Sequence, residues 1–222
     1  MAIFRSGDST GEGMWKVDAT FDAALASLRV SEAAGGGYYR ASLFSGTITA
    51  RAANDILYVF QNPSTSPNLS LILGVSIGFR GIAGSATSSS FVASLYATRS
   101  YTVLDTTGAV AAVSYKGQML TQTRASQQNS LYRITSTTAI TGGTGTDDAQ
   151  PLASLVFTHP GIVTTLSNYP FFPPMMGGLS KPWYPLVLAA GEGFRIRTDQ
   201  AWTAGNTTVC CVDVEWLEVS TY

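Results

Sequence analysis

Between residues 38 and 219 the chain is cut again and again into short runs of β-branched and aromatic residues, each stopped by a cluster of Gly, Pro, Asn or Ser. The runs fall at 38–45, 56–61, 69–80 and 91–101, then at 131–136 and 152–157, and finally at 185–190, 194–198 and 209–219. Each has the composition of a strand. Strand after strand with turn signals between them predicts an all-β fold, a jelly-roll-like antiparallel β-sandwich. No charged or Pro-rich linker divides the chain, so one sandwich is expected over residues 18–222.

The segments outside this rhythm read differently. Residues 1–13 hold Gly7, Asp8, Ser9, Thr10, Gly11 and Gly13 and read as a flexible arm. The expected extended N-terminal arm covers residues 1–17, with Trp15 as its anchor. Residues 18–30 are ambiguous, because Phe21, Leu25 and Leu28 fit one helical face while Ala26, Leu28 and Val30 alternate as in a strand. A strand over 25–31 is expected. The 141–150 loop carries three glycines and is expected to be mobile unless a partner fixes it. No repeat of fixed period and no heptad run is present, which excludes solenoids, propellers and coiled-coil stalks.

The C-terminal region carries the sharpest pattern. The runs at 185–190 and 194–198 are separated by Gly191, Glu192 and Gly193, a hairpin signal with glycine where positive φ is needed. In 209–219, Cys210, Val212, Val214 and Trp216 share one face, and Cys211, Asp213 and Glu215 share the other. Phe194 and Ile196 oppose Arg195 and Arg197 in the same way. Pairing these two strands predicts ion pairs from Arg195 and Arg197 to Asp213 and Glu215, with Phe194, Ile196, Val212, Val214 and Trp216 facing inward.

Charge is scarce: 12% of the residues are charged, against about 25% in ordinary soluble proteins. Arg outnumbers Lys, and ten Tyr, ten Phe and four Trp accompany it. Arg and aromatics are enriched at subunit interfaces, where Lys and Glu are depleted. Such a chain is expected to be covered by partners. With a formal net charge of −1 and no basic run, it offers no face to nucleic acid. No apolar stretch is long enough to span a membrane as a helix, and no secretory signal is visible. Cys210 and Cys211 are adjacent and point to opposite faces of a strand, so they read as buried thiols in a reducing compartment.

Little in the sequence suggests catalysis. The single histidine, His159, sits in Thr158-His159-Pro160-Gly161, which reads as a turn after an apolar strand, with no nucleophile motif to complete a triad. Asp147 and Asp148 are the one candidate carboxylate pair for glycoside hydrolysis, and they read as solvated turn residues. No zinc, calcium, P-loop or dinucleotide pattern is present. No catalytic residue, metal ligand or cofactor is therefore expected.

One segment stands out for recognition. The run 169–184 contains Pro170, Phe171, Phe172, Pro173, Pro174, Met175, Met176, Pro182, Trp183 and Tyr184. Prolines prevent a regular ladder there, so its aromatics and methionines either plug the end of the sandwich or form an apolar patch that needs a partner. The candidate interface residues are Trp15, Phe171, Phe172, Met175, Met176, Trp183 and Tyr184.

The order of motifs resembles a group of tailed-bacteriophage structural proteins. The resemblance is carried by Tyr38-Tyr39-Arg40-Ala41-Ser42-Leu43-Phe44-Ser45-Gly46 before an Ala-rich turn and the run at 56–61, then by Ala97-Thr98-Arg99-Ser100-Tyr101 and Asp105-Thr106-Thr107-Gly108. It continues in Thr137-Thr138-Ala139-Ile140-Thr141-Gly142-Gly143-Thr144, Asp148-Ala149-Gln150-Pro151, Leu186-Val187-Leu188-Ala189-Ala190-Gly191-Glu192-Gly193-Phe194 and the last strand with Trp216 and Glu218. It spans most of the chain from about residue 25. It implies a virion component present in many copies, assembled in the host cytoplasm, and no catalytic residue. The expected function is a non-enzymatic capsid decoration or cement protein that self-associates as a trimer or other ring and binds the major capsid protein or other virion subunits. The alternative is a tail or adsorption-apparatus protein, either a structural ring or a receptor-binding module. An envelope-degrading enzyme using Asp147 or Asp148 is a third reading.

Overall fold

The structure is a computed structural model that describes residues 37–83, 89–110, 126, 131–159, 174–176, 185–202 and 207–219. The N-terminal arm with Trp15, the strand expected at 25–31, and Phe171, Phe172, Trp183 and Tyr184 lie outside these residues. Among the described residues, twelve strands form two antiparallel sheets. The first has the order β1 (Gly37–Phe44), β12 (Thr207–Val219), β3 (Leu69–Ala83), β10 (Leu186–Leu188), with β9 (Pro174–Met176) also on β3. The second has the order β5 (Ala109–Val110), β6 (Tyr132–Thr135), β2 (Ile56–Gln61), β11 (Gly193–Thr198), β4 (Ser89–Val103), β7 (Thr144–Asp147), with β8 (Ala153–His159) also on β4. The architecture is a β-sandwich, as the spacing of the runs predicts.

Alternation builds the core between the sheets. Tyr39, Val212, Val214 and Trp216 of the first sheet face Tyr58, Phe60, Phe194 and Ile196 of the second, all fully or almost fully buried. At one end Trp216 stacks on Tyr39 with centroids 5.6 Å apart and meets Phe60 edge-on at 5.3 Å, while Phe60 stacks on Phe194 at 5.2 Å. At the other end Phe79 meets Phe91 at 4.8 Å and Phe157 at 4.5 Å. Aromatic pairs at these distances add to simple area burial. The five inward residues expected from the C-terminal alternation all lie in this core.

Their pairing corrects the expectation. β11 bonds to β2 and β4, whereas β12 bonds to β1 and β3, so the two strands lie in different sheets. The Gly191-Glu192-Gly193 signal therefore marks a crossing from one sheet to the other, not a hairpin. Gly191 does take a positive φ of 80° there, which costs glycine least. At Gly193, between two partner strands, an added Cβ would collide with the Phe60 carbonyl oxygen.

Three further expectations change. The 141–150 loop contains β7, which pairs with β4 from Thr98 to Val103. His159 is the last residue of β8, opposite Ser89, so the strand runs through Thr158 and His159 where a turn was expected. Within the Pro/aromatic run, residues 174–176 do pair, with Met176 opposite Val75 and Pro174 opposite Ser76, across an irregularity in register.

Both cysteines are free and buried. Burial pushes the Cys210 thiol well above its ordinary range and raises Cys211, aided by Asp213, to about 12. Burial likewise raises the Tyr58 hydroxyl. Each group is an acid kept neutral in the folded state, so its contribution is intact below its unfolded value, about 8.5 for a thiol and about 10 for a tyrosine, and is lost as pH climbs toward the folded value. The urea midpoint is thus expected to hold steady up to about pH 8 and then fall through the alkaline range, with Cys211→Ala flattening part of that fall. Neither thiol should react with a disulfide reagent until the protein unfolds; rapid labelling of the native protein would contradict this burial.

Candidate interaction surface

The outer side of the second sheet carries a charge network that begins with the alternation of β11. Phe194 and Ile196 fill the core, so Arg195 and Arg197 must emerge on the opposite face. Arg195 is nonetheless buried. Its Nη2 and Nε donate to Asp105 Oδ2 at 2.8 and 3.1 Å, and its Nη1 donates to Asp147 Oδ1 and to the Gly145 carbonyl, both at 3.2 Å. Arg197 Nη1 donates to the other oxygen of Asp147 at 3.0 Å. The side chains of Arg195 and Asp105 are only 7% and 2% exposed.

Neighbouring groups complete the shell. The Gly143 N–H donates to Asp105 Oδ1 at 3.1 Å, and Thr98 Oγ1 donates to Asp147 Oδ1 at 2.7 Å. Arg195 lies 4.8 Å from the centroid of Tyr101, and Arg197 lies 3.7 Å from that of Tyr96. Tyr96 in turn donates to Asp199 Oδ1 at 2.8 Å, and Ser94 donates to the same carboxylate. Burial alone would lower the Arg195 guanidinium, but Tyr101, Asp105 and Asp147 together raise it. Tyr101 is raised chiefly by burial, with Arg195 opposing and both carboxylates adding to the rise.

This geometry corrects two sequence expectations. Arg195 and Arg197 pair with Asp105 and Asp147, not with Asp213 and Glu215. Those acids sit on the outer side of the first sheet, where Asp213 accepts from Ser42, and Glu215 accepts from the Tyr38 hydroxyl at 3.2 Å and lies 3.7 Å from Arg40. Asp147 is also no solvated turn residue, being 10% exposed on β7 and locked between two arginines. Asp148 fits the solvated reading: it lies near the surface, paired with Arg99 at 2.8 Å, and the hydrogen bond from Arg99 lowers its pKa. The two aspartates thus belong to separate ion pairs. Each oxygen of Asp105 and Asp147 already accepts a hydrogen bond, so the network's chemistry is to fasten β7 and the 104–106 segment onto β4 and β11. Among the described residues no three His, Cys, Asp or Glu side chains group as a metal site.

Beside this fastening lies a row of hydroxyl side chains. Thr98, Ser100 and Thr102 of β4 run beside Thr144 and Thr146 of β7, joined through Thr102–Thr144 and Ser100–Thr146 hydroxyl contacts. Farther along β4, Leu152 and Val156 stand exposed on or beside β8. Of the expected interface residues, the structure describes only Met175 and Met176, in β9 on the edge of β3. Sequence reasoning missed Asp105, Leu152 and Val156. The signal for the last two was available, as the outward positions of an uncharged alternating run.

Comparison with known protein families and with curated proteins finds no match for the chain.

Proposed function

We propose that this chain is a non-enzymatic structural subunit of a tailed-bacteriophage virion that self-associates and covers the capsid surface. The observation that carries the reading is the disposition of charge. Nine of the described charged residues are joined in six ion pairs, and among them Arg195, Asp105 and Asp147 are withdrawn from solvent. Apart from Arg40, Arg80 and Arg99, the exposed positions described are mostly Ser, Thr and Ala with scattered apolar side chains, a surface suited to burial against other subunits.

The strand order adds support. The chain passes between sheets so that β12 returns beside β1, giving β1-β12-β3-β10 opposite β2-β11-β4 with β7 and β8 on the far edge. That wiring favours a jelly roll, with β5 and β6 as an addition beside β2. The sequence resemblance to phage structural proteins points the same way. Trp15, Phe171, Phe172, Met175, Met176, Trp183 and Tyr184 are the proposed contacts with capsid and neighbouring copies, and a trimer or other ring is the proposed assembly. An interface of standard size, about 1,600 Å², repeated by symmetry would hold such a subunit on a lattice.

Antibody labelling of intact particles tests the location. Label over the head supports the proposal; label confined to the tail would replace it with the tail or adsorption-apparatus reading. Deleting residues 1–13 is expected to lower occupancy on capsids several-fold while leaving the thermal unfolding curve in place. Unchanged occupancy would remove the arm from the contact.

A further inference from the structure

Arg51 is a cation held inside the protein without an anion. It is 6% exposed, and every group it bonds to is neutral. Its Nη1 donates to the carbonyls of Ala50 and Thr137 at 2.8 and 3.1 Å, and its Nη2 donates to Thr135 Oγ1 at 2.9 Å. Its Nε is buried and has no hydrogen-bond partner. None of the six ion pairs among the described residues includes it. Asp55 acts on the guanidinium through space, yet its Oδ2 accepts from the Ala52 N–H at 2.9 Å. A buried charge with no counter-charge is costly, and so is a buried donor with no acceptor.

Two more such donors come from the same end of the sandwich. Trp202 is the antiparallel bridge partner of Arg51, and its own N–H donates to the Arg51 carbonyl at 3.0 Å. Facing residues of an antiparallel pair set their side chains on the same side. For Trp202 that side is the interior, where its ring lies 4.2 Å from Phe91 and meets Phe79 edge-on at 6.0 Å. Its indole Nε1 is buried without a partner. Phe79 in turn lies opposite Cys210, and Thr208 stands two residues before Cys210 on the same face. Thr208 is 3% exposed, and its Oγ1 has no partner either. The Arg51 charge reaches Cys210, pulling its thiol down against the effect of burial.

We propose that Arg51, Trp202 and Thr208 form an internal site for one small monovalent anion of halide size. The chemistry of the donors selects the ligand. Guanidinium and indole N–H groups only donate, and a hydroxyl can turn its hydrogen toward an acceptor. An anion accepts from all three and cancels the charge. A water molecule would leave the charge uncancelled and bring two hydrogens of its own to a set of donors. Size follows from the surroundings: Phe79, Phe91, Trp202 and Cys210 are each 5% exposed or less, and such interiors are close-packed. The anion would tie together the 48–51 segment, the start of β12 and Trp202, and through Arg51 the 135–137 turn. This site is independent of the virion reading.

Thermal unfolding of the full chain in sodium bromide and in sodium gluconate of equal ionic strength tests the site, because gluconate is too large to enter. At about ten times its dissociation constant, an anion bound only by the folded state shifts the folding equilibrium about tenfold, about 3 to 6 °C in melting temperature for a chain of this length. Arg51→Met is expected to abolish the difference between the salts. Trp202→Phe, which keeps a ring and removes the N–H, should shrink it, and Arg99→Met at the surface should leave it intact. Equal melting temperatures in the two salts, or a bromide effect that survives in Arg51→Met, would overturn the proposal. Crystals of the native protein grown in bromide give a second reading that needs no variant to fold. An anomalous bromide peak in hydrogen-bonding contact with Arg51 Nε supports the site; density there without anomalous signal is water and overturns it, as does no density at all.

Discussion

Replacing Arg195 by Ala is expected to destabilise the protein by about 3–5 kcal/mol, the cost of stranding a buried charge when its partner is removed. For a chain of this length that corresponds to a melting temperature roughly 6 to 20 °C lower. The carboxylate left behind is Asp105, 2% exposed, whose remaining neighbour is the Gly143 N–H. Asp147 would lose one of its two arginines at the same time, and Tyr101 would lose its cation. Arg195→Met combined with Asp105→Leu should recover most of the loss, because an apolar pair of similar volume carries no desolvation cost. Urea unfolding of the two single variants and the double variant reads the coupling directly. Costs that simply add, or a loss under about 1 kcal/mol for Arg195→Ala, would show that the network fastens nothing.

That network also shows where the sequence stops being legible. Alternation correctly assigned Phe194 and Ile196 to the core and Arg195 and Arg197 to the opposite face, because the two-residue period of a strand is a local property. It could not say which strand lies alongside. Asp213 and Glu215 lie on the polar face of the next long alternating run, yet β12 belongs to the other sheet, and the acids that pair lie 90 and 48 residues before Arg195. Register is set by long-range packing.

The same limit explains the turn at 191–193. Two strands joined by Gly-Glu-Gly look alike whether the chain folds back within one sheet or crosses to another. Short edge strands were missed for a different reason. β7 is Thr-Gly-Thr-Asp and carries no β-branched aliphatic or aromatic residue; it is a strand because Asp147 and the Gly145 carbonyl are held by Arg195. Of the interface candidates, Met175 and Met176 lay in a run whose prolines argued against pairing, yet the structure gives them a short irregular ladder on β3.

The scarcity of charge acquires a physical consequence when these pieces are joined. Arg51 is buried too, donating to the carbonyls of Ala50 and Thr137 and to Thr135 Oγ1, and Glu218 is fully buried beside Trp216. Some charges that an ordinary domain would leave in water are here drawn inward and hydrogen-bonded, while Arg40, Arg80 and Arg99 stay exposed. Outward positions on and beside edge strands such as β8, with Leu152, Ser154, Val156 and Thr158, carry no charge.

The core that supports those edges is expected to be least tolerant at Trp216. Trp216→Ala should cost about 3–5 kcal/mol, the range for removing a buried tryptophan from a packed interior. Trp216 is 1% exposed, touches Tyr39, Phe60 and Tyr132, and points its indole N–H toward Glu218 at 3.4 Å. Trp216→Phe should cost less, because a ring still fills the space against Tyr39 and Phe60 and only the indole's extra ring and its donor are lost. Phe157→Ala at the opposite end provides the comparison. Phe157 packs on Phe79 and Phe91 but remains partly exposed at the β8 edge, so the surrounding chain can relax around the gap. The expected order of destabilisation is Trp216→Ala, then Phe157→Ala, with Val156→Lys near zero. If Phe157→Ala proves as costly as Trp216→Ala, the β8 end of the sandwich is as tightly packed as the Trp216 end and cannot relax around the gap.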